Sequence, residues 1–151
     1  RALAIRLARA KADAVAQTQP DAFVIGSDQV ICVGDEVLSK PGTAAKAEQQ
    51  LARLSGGTHQ LITAVCVVGP SGVAEEVCVH QMAMRTLTAE EISAYVAEDQ
   101  PLDCAGSYKI EAGGIRLFES LEGPDYTSII GLPLTVVRRL LDRLEFDWEK
   151  R

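Results

Sequence analysis

The stretch VIGSDQVICVGDEVLSKPG, Val24 to Gly42, decides how the rest of the chain is read. Apolar residues from Ala22 to Ile25 lead into Gly26, Ser27-Asp28-Gln29 follows, and apolar residues resume at Val30. The pattern predicts a short buried strand over Ala22–Gly26, a polar interruption, and a hairpin of Val30–Val33 with Glu36–Leu38 about Gly34-Asp35. An Asp directly behind a buried strand stands on a rigid edge where loops converge, which suits a catalytic or metal-binding carboxylate. An Asx turn or helix cap accounts for Asp28 equally well. Pro41 restricts Lys40 to extended conformations. Lys40 then serves either as a point charge for a phosphate or as a solvated loop lysine.

Composition narrows the classes. At 151 residues the chain is sized for one domain with a real core. A net charge of −6 opposes a surface that neutralises nucleic-acid phosphates, while leaving room for a local basic pocket. No apolar run approaches the roughly 20 residues of a membrane-spanning helix, so no membrane partner is expected. Cys32, Cys66, Cys78 and Cys104 show no metal-ligand spacing, and three of them sit in valine-rich runs. Free thiols in a cytoplasmic protein are the expectation, with disulfides as the alternative.

The remaining elements follow from periodicity and punctuation. Arg1 to Gln17 reads as an amphipathic helix with Leu3, Leu7, Ala10, Ala14 and Val15 inward. Thr43 caps a helix over Ala44–Leu54 that stops at Ser55-Gly56-Gly57. Gln60–Val68 and Val73–Arg85 read as a long hairpin about Pro70-Ser71-Gly72, with Cys78, His80, Met82 and Met84 on one face. Thr88-Ala89-Glu90-Glu91 is a capping box for a helix to about Glu98. Ile115–Phe118 reads as a strand. Pro133 starts a last helix with Leu134, Val137, Leu140 and Leu141 inward. Together these elements give a single α/β or α+β domain.

Two further segments carry chemistry. In Ala105-Gly106-Ser107-Tyr108-Lys109-Ile110-Glu111, small residues admit a ligand to the backbone, and Lys109 and Glu111 offer opposite charges. Tyr126 to Pro133 reads as a loop ending at a helix start, whose N–H groups meet an anion or cap the helix. His59 is read as a structural hydrogen-bonding residue, His80 as a non-metal residue, and Trp148 as packing.

In order, the chain carries Leu7-Ala8-Arg9-Ala10-Lys11-Ala12, Ile25-Gly26-Ser27-Asp28-Gln29-Val30 and Lys40-Pro41. Leu54-Ser55-Gly56-Gly57-Thr58-His59, Thr63-Ala64-Val65, Ala105-Gly106-Ser107-Tyr108 and Ile129-Ile130-Gly131-Leu132-Pro133-Leu134 follow. This series resembles the Maf nucleotide pyrophosphatases of the Maf/HAM1 superfamily over nearly the whole chain. The resemblance implies an α/β fold with a mixed sheet flanked by helices and a cleft between two lobes, spanning residues 1–151 as one Maf-like domain. It also implies hydrolysis of a nucleoside triphosphate to monophosphate and pyrophosphate with a divalent cation, Mg2+ or Mn2+. Asp28 matches the family's proton acceptor and is a candidate metal ligand; Lys40 and Lys11 are phosphate-side cations. Gln29 and Glu111 match positions linked to base selection. Ser-Asp-Gln with a later Glu looks like the branch acting on 7-methyl-GTP. A carboxylate at Glu111 would attract the positive charge that N7 methylation puts on guanine.

The chain departs from the family pattern at its start. Beginning at Arg1, it lacks the first strand and the Ser-x-Ser-Pro-Arg-Arg loop, so a processed or shortened product is expected. Without that loop, low activity is expected of these residues alone. The exposed sheet edge would suit a second copy of the chain, making a homodimer an expected partner state. Two readings follow: a pyrophosphatase, or a non-catalytic nucleotide-binding or division-related interaction module that retains Asp28 and Lys40.

Overall fold

The computed structural model describes residues 1–150. Helices α1 (Ala2–Ala16), α2 (Ala44–Leu54), α3 (Ala89–Asp99), α4 (Tyr126–Ile130) and α5 (Leu134–Arg143) accompany strands β1 (Val24–Val33), β2 (Glu36–Leu38), β3 (Thr58–Gly69), β4 (Gly72–Met84) and β5 (Phe118–Glu122). The strands form one sheet in the order β2-β1-β3-β4-β5. The α/β expectation therefore holds. Among the described residues no helix is long and apolar enough to cross a membrane.

The chain clusters into two compact units. The first comprises Arg1–Gln29, Ile62–Val79 and Pro124–Arg151; the second comprises Val30–Leu61 and His80–Gly123. In the first, α5 lays Val136, Val137, Leu140 and Leu141 onto Val65 and Val67 of β3 and Cys78 of β4. Phe23 and Phe146 close this core edge to face, with ring centroids 5.0 Å apart. Full burial of each such side chain is worth about 1.5–3 kcal/mol, so α5 is held chiefly by this face. In the second, β1 and β2 form the expected antiparallel hairpin, with Val33 opposite Glu36 and Gly34 at φ 57° in the turn. Helices α2 and α3 pack together, and Leu51, Leu54, Ile92 and Val96 on them are buried. The capping box at Thr88 is formed as expected, with Glu91 returning a bond to the Thr88 N–H at 2.8 Å.

Several expectations are corrected. The strand expected over Ala22–Gly26 and the one resuming at Val30 are a single ten-residue strand, β1. The polar residues do not break it because their side chains find partners on neighbouring segments. The inward face of α1 is Ala4, Ala8 and Ala12, all fully buried, whereas Leu7 and Val15 are exposed. Gly26 explains the preference for alanine: a Cβ there would lie 2.2 Å from the Ala8 carbonyl oxygen and 2.7 Å from the Ala12 nitrogen. Helix and strand backbones approach too closely for larger residues on either side.

Ile115 falls in a 3-10 turn, Gly114–Leu117, rather than in a strand, and β5 begins only at Phe118. The Gly114 N–H turns back to the Lys109 carbonyl at 2.8 Å, which curls the chain before pairing can start. Leu134 is exposed, and Val136 takes the inward position assigned to it. The residues 126–130 form the short helix α4 rather than a loop.

The closeness of the α1–β1 contact sets a clear expectation. Gly26→Ala should destabilise the protein by about 1–3 kcal/mol, the usual penalty of overpacking, read as a lowered urea midpoint with an unchanged slope. Ala10→Gly on the exposed face of α1 should cost no more than the ~1 kcal/mol of helix propensity.

Candidate functional site

Strand geometry divides the central residues of β1 between two faces, because side chains alternate along a strand. Gly26 and Asp28 share the face against α1, and Ser27 and Gln29 share the other. The contacts follow that division. Asp28 meets α1 through Lys11, whose Nζ donates to Asp28 Oδ1 at 2.6 Å and to the Ser27 carbonyl at 3.1 Å. The Asp28 side chain is 15% exposed and that of Lys11 59%. A largely screened carboxylate is thus held by an ammonium that remains open to solvent. The same close approach that requires Ala8 and Ala12 positions Lys11, which lies between them in sequence.

On the opposite face the Ser27 hydroxyl lies 3.0 Å from the Ala64 carbonyl and 2.9 Å from that of Gly131, sharing its proton. Gln29 Nε2 donates to Thr63 Oγ1 at 3.1 Å, to the Ser128 carbonyl at 2.5 Å and to the Ile129 carbonyl at 3.3 Å. The polar centre of β1 is therefore fastened to the segment containing α4.

That segment is ordered by Asp125. Its Oδ1 accepts from the N–H and hydroxyl of Thr127, and its Oδ2 accepts from the N–H and hydroxyl of Thr135. Burial alone would push this carboxyl up, but the four hydrogen bonds outweigh it and hold the pKa down at about 2. The Thr127 hydroxyl in turn lies 2.9 Å from the Leu134 N–H, which donates to it. Asp125 and Thr127 thus take up N–H groups at both helix starts, so the 126–133 segment is capped from within. The capping role expected for it is formed.

The second unit holds the other expected residues. Lys40 lines an open cavity of ≈ 430 Å³ with Lys46, Arg53, Gln49 and Gln50, giving the locally basic pocket that the net charge had left possible. Its loop is pinned by Gln50, whose Nε2 donates to the Ser39 carbonyl at 2.8 Å while its Oε1 accepts from the Ser107 hydroxyl at 2.7 Å. The Gly42 N–H adds a bond to the Leu102 carbonyl at 2.9 Å. Glu111 is exposed in the turn after Ile110 and does not line the Lys40 cavity. Lys109, the opposite charge flanking that segment, lies 3.5 Å from Asp103.

His59 is buried and its Nε2 is 3.0 Å from the Tyr108 hydroxyl, the structural bond expected of it. Desolvation lowers its pKa to about 4, which keeps the ring neutral near pH 7. His80 is buried as well. Trp148 is half exposed, packs edge to face on Phe146 and donates to Asp142. All four cysteines are free thiols.

Asp28, Gln29 and Lys11 are accordingly brought together in the first unit, while Lys40 and Glu111 belong to the second. Asp28 stands mid-strand, not behind a strand end. Sequence reasoning missed Asp125 and passed over the hydroxyl of Thr63. Asp125 had a readable signal, an acid two residues before Thr127 at a helix start. Among the described residues no group of three or more His, Cys, Asp or Glu is arranged to hold a metal.

An α/β sheet carrying a lysine-paired carboxylate at the centre of one strand defines the class of this site. The model of the Maf-like protein family matches residues 1–144, and the chain belongs to that family. It is 49% identical over 142 residues to the 7-methyl-GTP pyrophosphatase of Alkalilimnicola ehrlichii, covering 93% of this chain and 70% of that protein. The protein of the same name from Xanthomonas oryzae pv. oryzae is 45% identical over 145 residues, covering 96% and 76%. That from Aromatoleum aromaticum is 49% identical over 138 residues, covering 90% and 71%.

The low pKa of Asp125 has a measurable sign. Its folded value lies below its unfolded one, so its contribution is complete above the ordinary carboxylate range and is lost as pH falls through about 2. Asp125→Asn should therefore lower stability by ~2 kcal/mol at pH 7, and the gap to the unmodified protein should close on acidification below about pH 4. Denaturant melts across that range give the difference directly.

Proposed function

We propose that this protein is a nucleoside triphosphate pyrophosphatase acting on 7-methyl-GTP in the cytoplasm. One observation carries the reading: the Lys11–Asp28 pair at the centre of β1, in a chain 45–49% identical to proteins named for that activity. The four free thiols are in keeping with a reducing compartment.

Asp28 is the proton acceptor. Lys11 occupies one of its oxygens, which fixes the carboxylate's orientation and leaves the second to take a proton from a water molecule. That water attacks the α-phosphorus, the bond from the α-phosphorus to the bridging oxygen breaks, and pyrophosphate leaves with the electron pair. Lys11, open to solvent at its Nζ end, meets negative charge on the phosphates. Lys40, in its basic cavity, is a second phosphate-side cation, held on a loop that Gln50 makes rigid. Positioning and charge neutralisation of this kind provide most of the catalysis in phosphoryl transfer.

A divalent cation, Mg2+ or Mn2+, belongs to the same reading. Asp28 is the carboxylate that would hold the ion, and a single protein carboxylate together with substrate phosphates is a usual magnesium arrangement. Such an ion would neutralise charge on the phosphates.

Gln29 and Glu111 select the base. Glu111 is exposed, so its attraction for a cationic 7-methylguanine is screened and worth ~1 kcal/mol, near the water limit of the Coulomb term. Glu111→Gln should then narrow the preference for 7-methyl-GTP over GTP about fivefold in kcat/KM; an unchanged ratio would remove Glu111 from the assignment. Asp28→Asn should reduce pyrophosphate release from 7-methyl-GTP by at least about 100-fold, the usual scale of a lost general base, while nucleotide binding persists. Turnover undiminished by this change would refute the mechanism.

A further inference from the structure

The environment of the Gln29 amide determines which of its two ends faces inward. Thr63 Oγ1 lies 3.1 Å from the Ser128 carbonyl, and a hydroxyl has one proton to give. With that proton committed, Thr63 can only accept from Gln29. The other two neighbours, the Ser128 and Ile129 carbonyls, are acceptors by nature. Three acceptors therefore converge on one end of the amide, and only the NH2 end, with two protons to share among them, can donate there. Thr63 and Ser128 are both fully buried, so water cannot substitute there. The flipped amide would set its oxygen against two carbonyl oxygens, a buried acceptor-to-acceptor contact with no proton between.

Because the two ends of a primary amide diverge, anchoring Nε2 turns Oε1 the opposite way. We propose that Thr63, together with the Ser128 and Ile129 carbonyls, locks the Gln29 amide so that its oxygen is presented as a hydrogen-bond acceptor to the donor edge of a guanine-type base. Thr63 is on this account a specificity-determining positioning residue that acts through Gln29 without touching the nucleotide. The proposal rests on the reading of Gln29 as base-selecting given above.

The chemistry of the bases makes the consequence definite. Guanine offers N1–H and an exocyclic amine as adjacent donors. Adenine has an unprotonated ring nitrogen at the matching position, which would face the amide oxygen acceptor to acceptor. Methylation at N7 makes the guanine ring cationic, so its N1–H and amine become stronger donors, and a hydrogen bond to a charged group is roughly twice as strong as a neutral one. A fixed acceptor thereby favours guanine over adenine and 7-methylguanine over guanine, by a route separate from the charge of Glu111.

The test compares GTP with O6-methyl-GTP, which keeps the purine frame and amine but loses the N1 proton. Hydrogen bonds of this class discriminate by roughly 5- to 150-fold in kcat/KM. The unmodified protein and Thr63→Ser, which keeps the hydroxyl, should show that penalty. Thr63→Val and Gln29→Leu should show less than about a third of it, and the double variant no further loss, because the two residues act as a unit.

A penalty equally large in Thr63→Val and the unmodified protein would overturn the proposal, as would no penalty in the unmodified protein. Should Thr63→Val fail to fold, Gln29→Leu against the unmodified protein decides, an equal penalty again overturning it. If the unmodified protein releases pyrophosphate from neither nucleotide nor from 7-methyl-GTP, the pyrophosphatase reading itself fails and this inference falls with it.

Discussion

The contact between α1 and Gly26 is the constraint on which the first unit depends. With Ala4, Ala8 and Ala12 fully buried and no Cβ at Gly26, helix and strand backbones come within van der Waals distance. Packing at that separation leaves little freedom for the helix to slide or rotate, because interiors are filled to the density of organic crystals. The consequence for chemistry is immediate: Lys11 lies one residue before Ala12, and Asp28 lies two residues after Gly26 on the same strand face. Their ion pair is a product of the backbone approach rather than of an independent attraction. An exposed ion pair by itself is worth only about 0–1 kcal/mol, too little to place a helix.

A strand with Ser, Asp and Gln at its centre would ordinarily be a poor strand. Here each polar side chain is matched by a particular partner: Lys11 for Asp28, the Ala64 and Gly131 carbonyls for Ser27, and Thr63 with the Ser128 and Ile129 carbonyls for Gln29. The Ser128, Ile129 and Gly131 carbonyls belong to the segment that Asp125 caps at two successive helix starts with four hydrogen bonds. A network of this kind is rigid, since loosening any one member strands its partners. In the second unit Gln50 performs a comparable task, tying the Lys40 loop to Ser107.

Much of the secondary structure was legible because its signals are local. The capping box at Thr88, the cap at Thr43 and the turn at Gly34-Asp35 each need only a few neighbouring residues. The alternation that buries Cys78, His80, Met82 and Met84 is likewise a property of one strand. Misreadings arose where a distant segment decided. Leu7 and Val15 are the more hydrophobic residues of α1, yet alanine faces inward because Gly26, far along the chain, permits only small neighbours. The break expected at Ser27-Asp28-Gln29 did not occur because its satisfying partners come from residues 11, 63–64 and 128–131.

By itself the sequence determined the α/β class, most element positions, the acidic character and the identity of the side chains offered for chemistry. Ordered motifs from Leu7 to Leu134 were enough to indicate the family, since many short matches in register are far more specific than any one of them. Tertiary structure alone decided which way those side chains face and what they touch. Only folding gives Asp28 its lysine, Gln29 its fixed amide and Asp125 its depressed pKa. The physical reason is range: caps and turns are settled within a few residues, whereas close approach and hydrogen-bond satisfaction depend on atoms that meet only when remote segments pack.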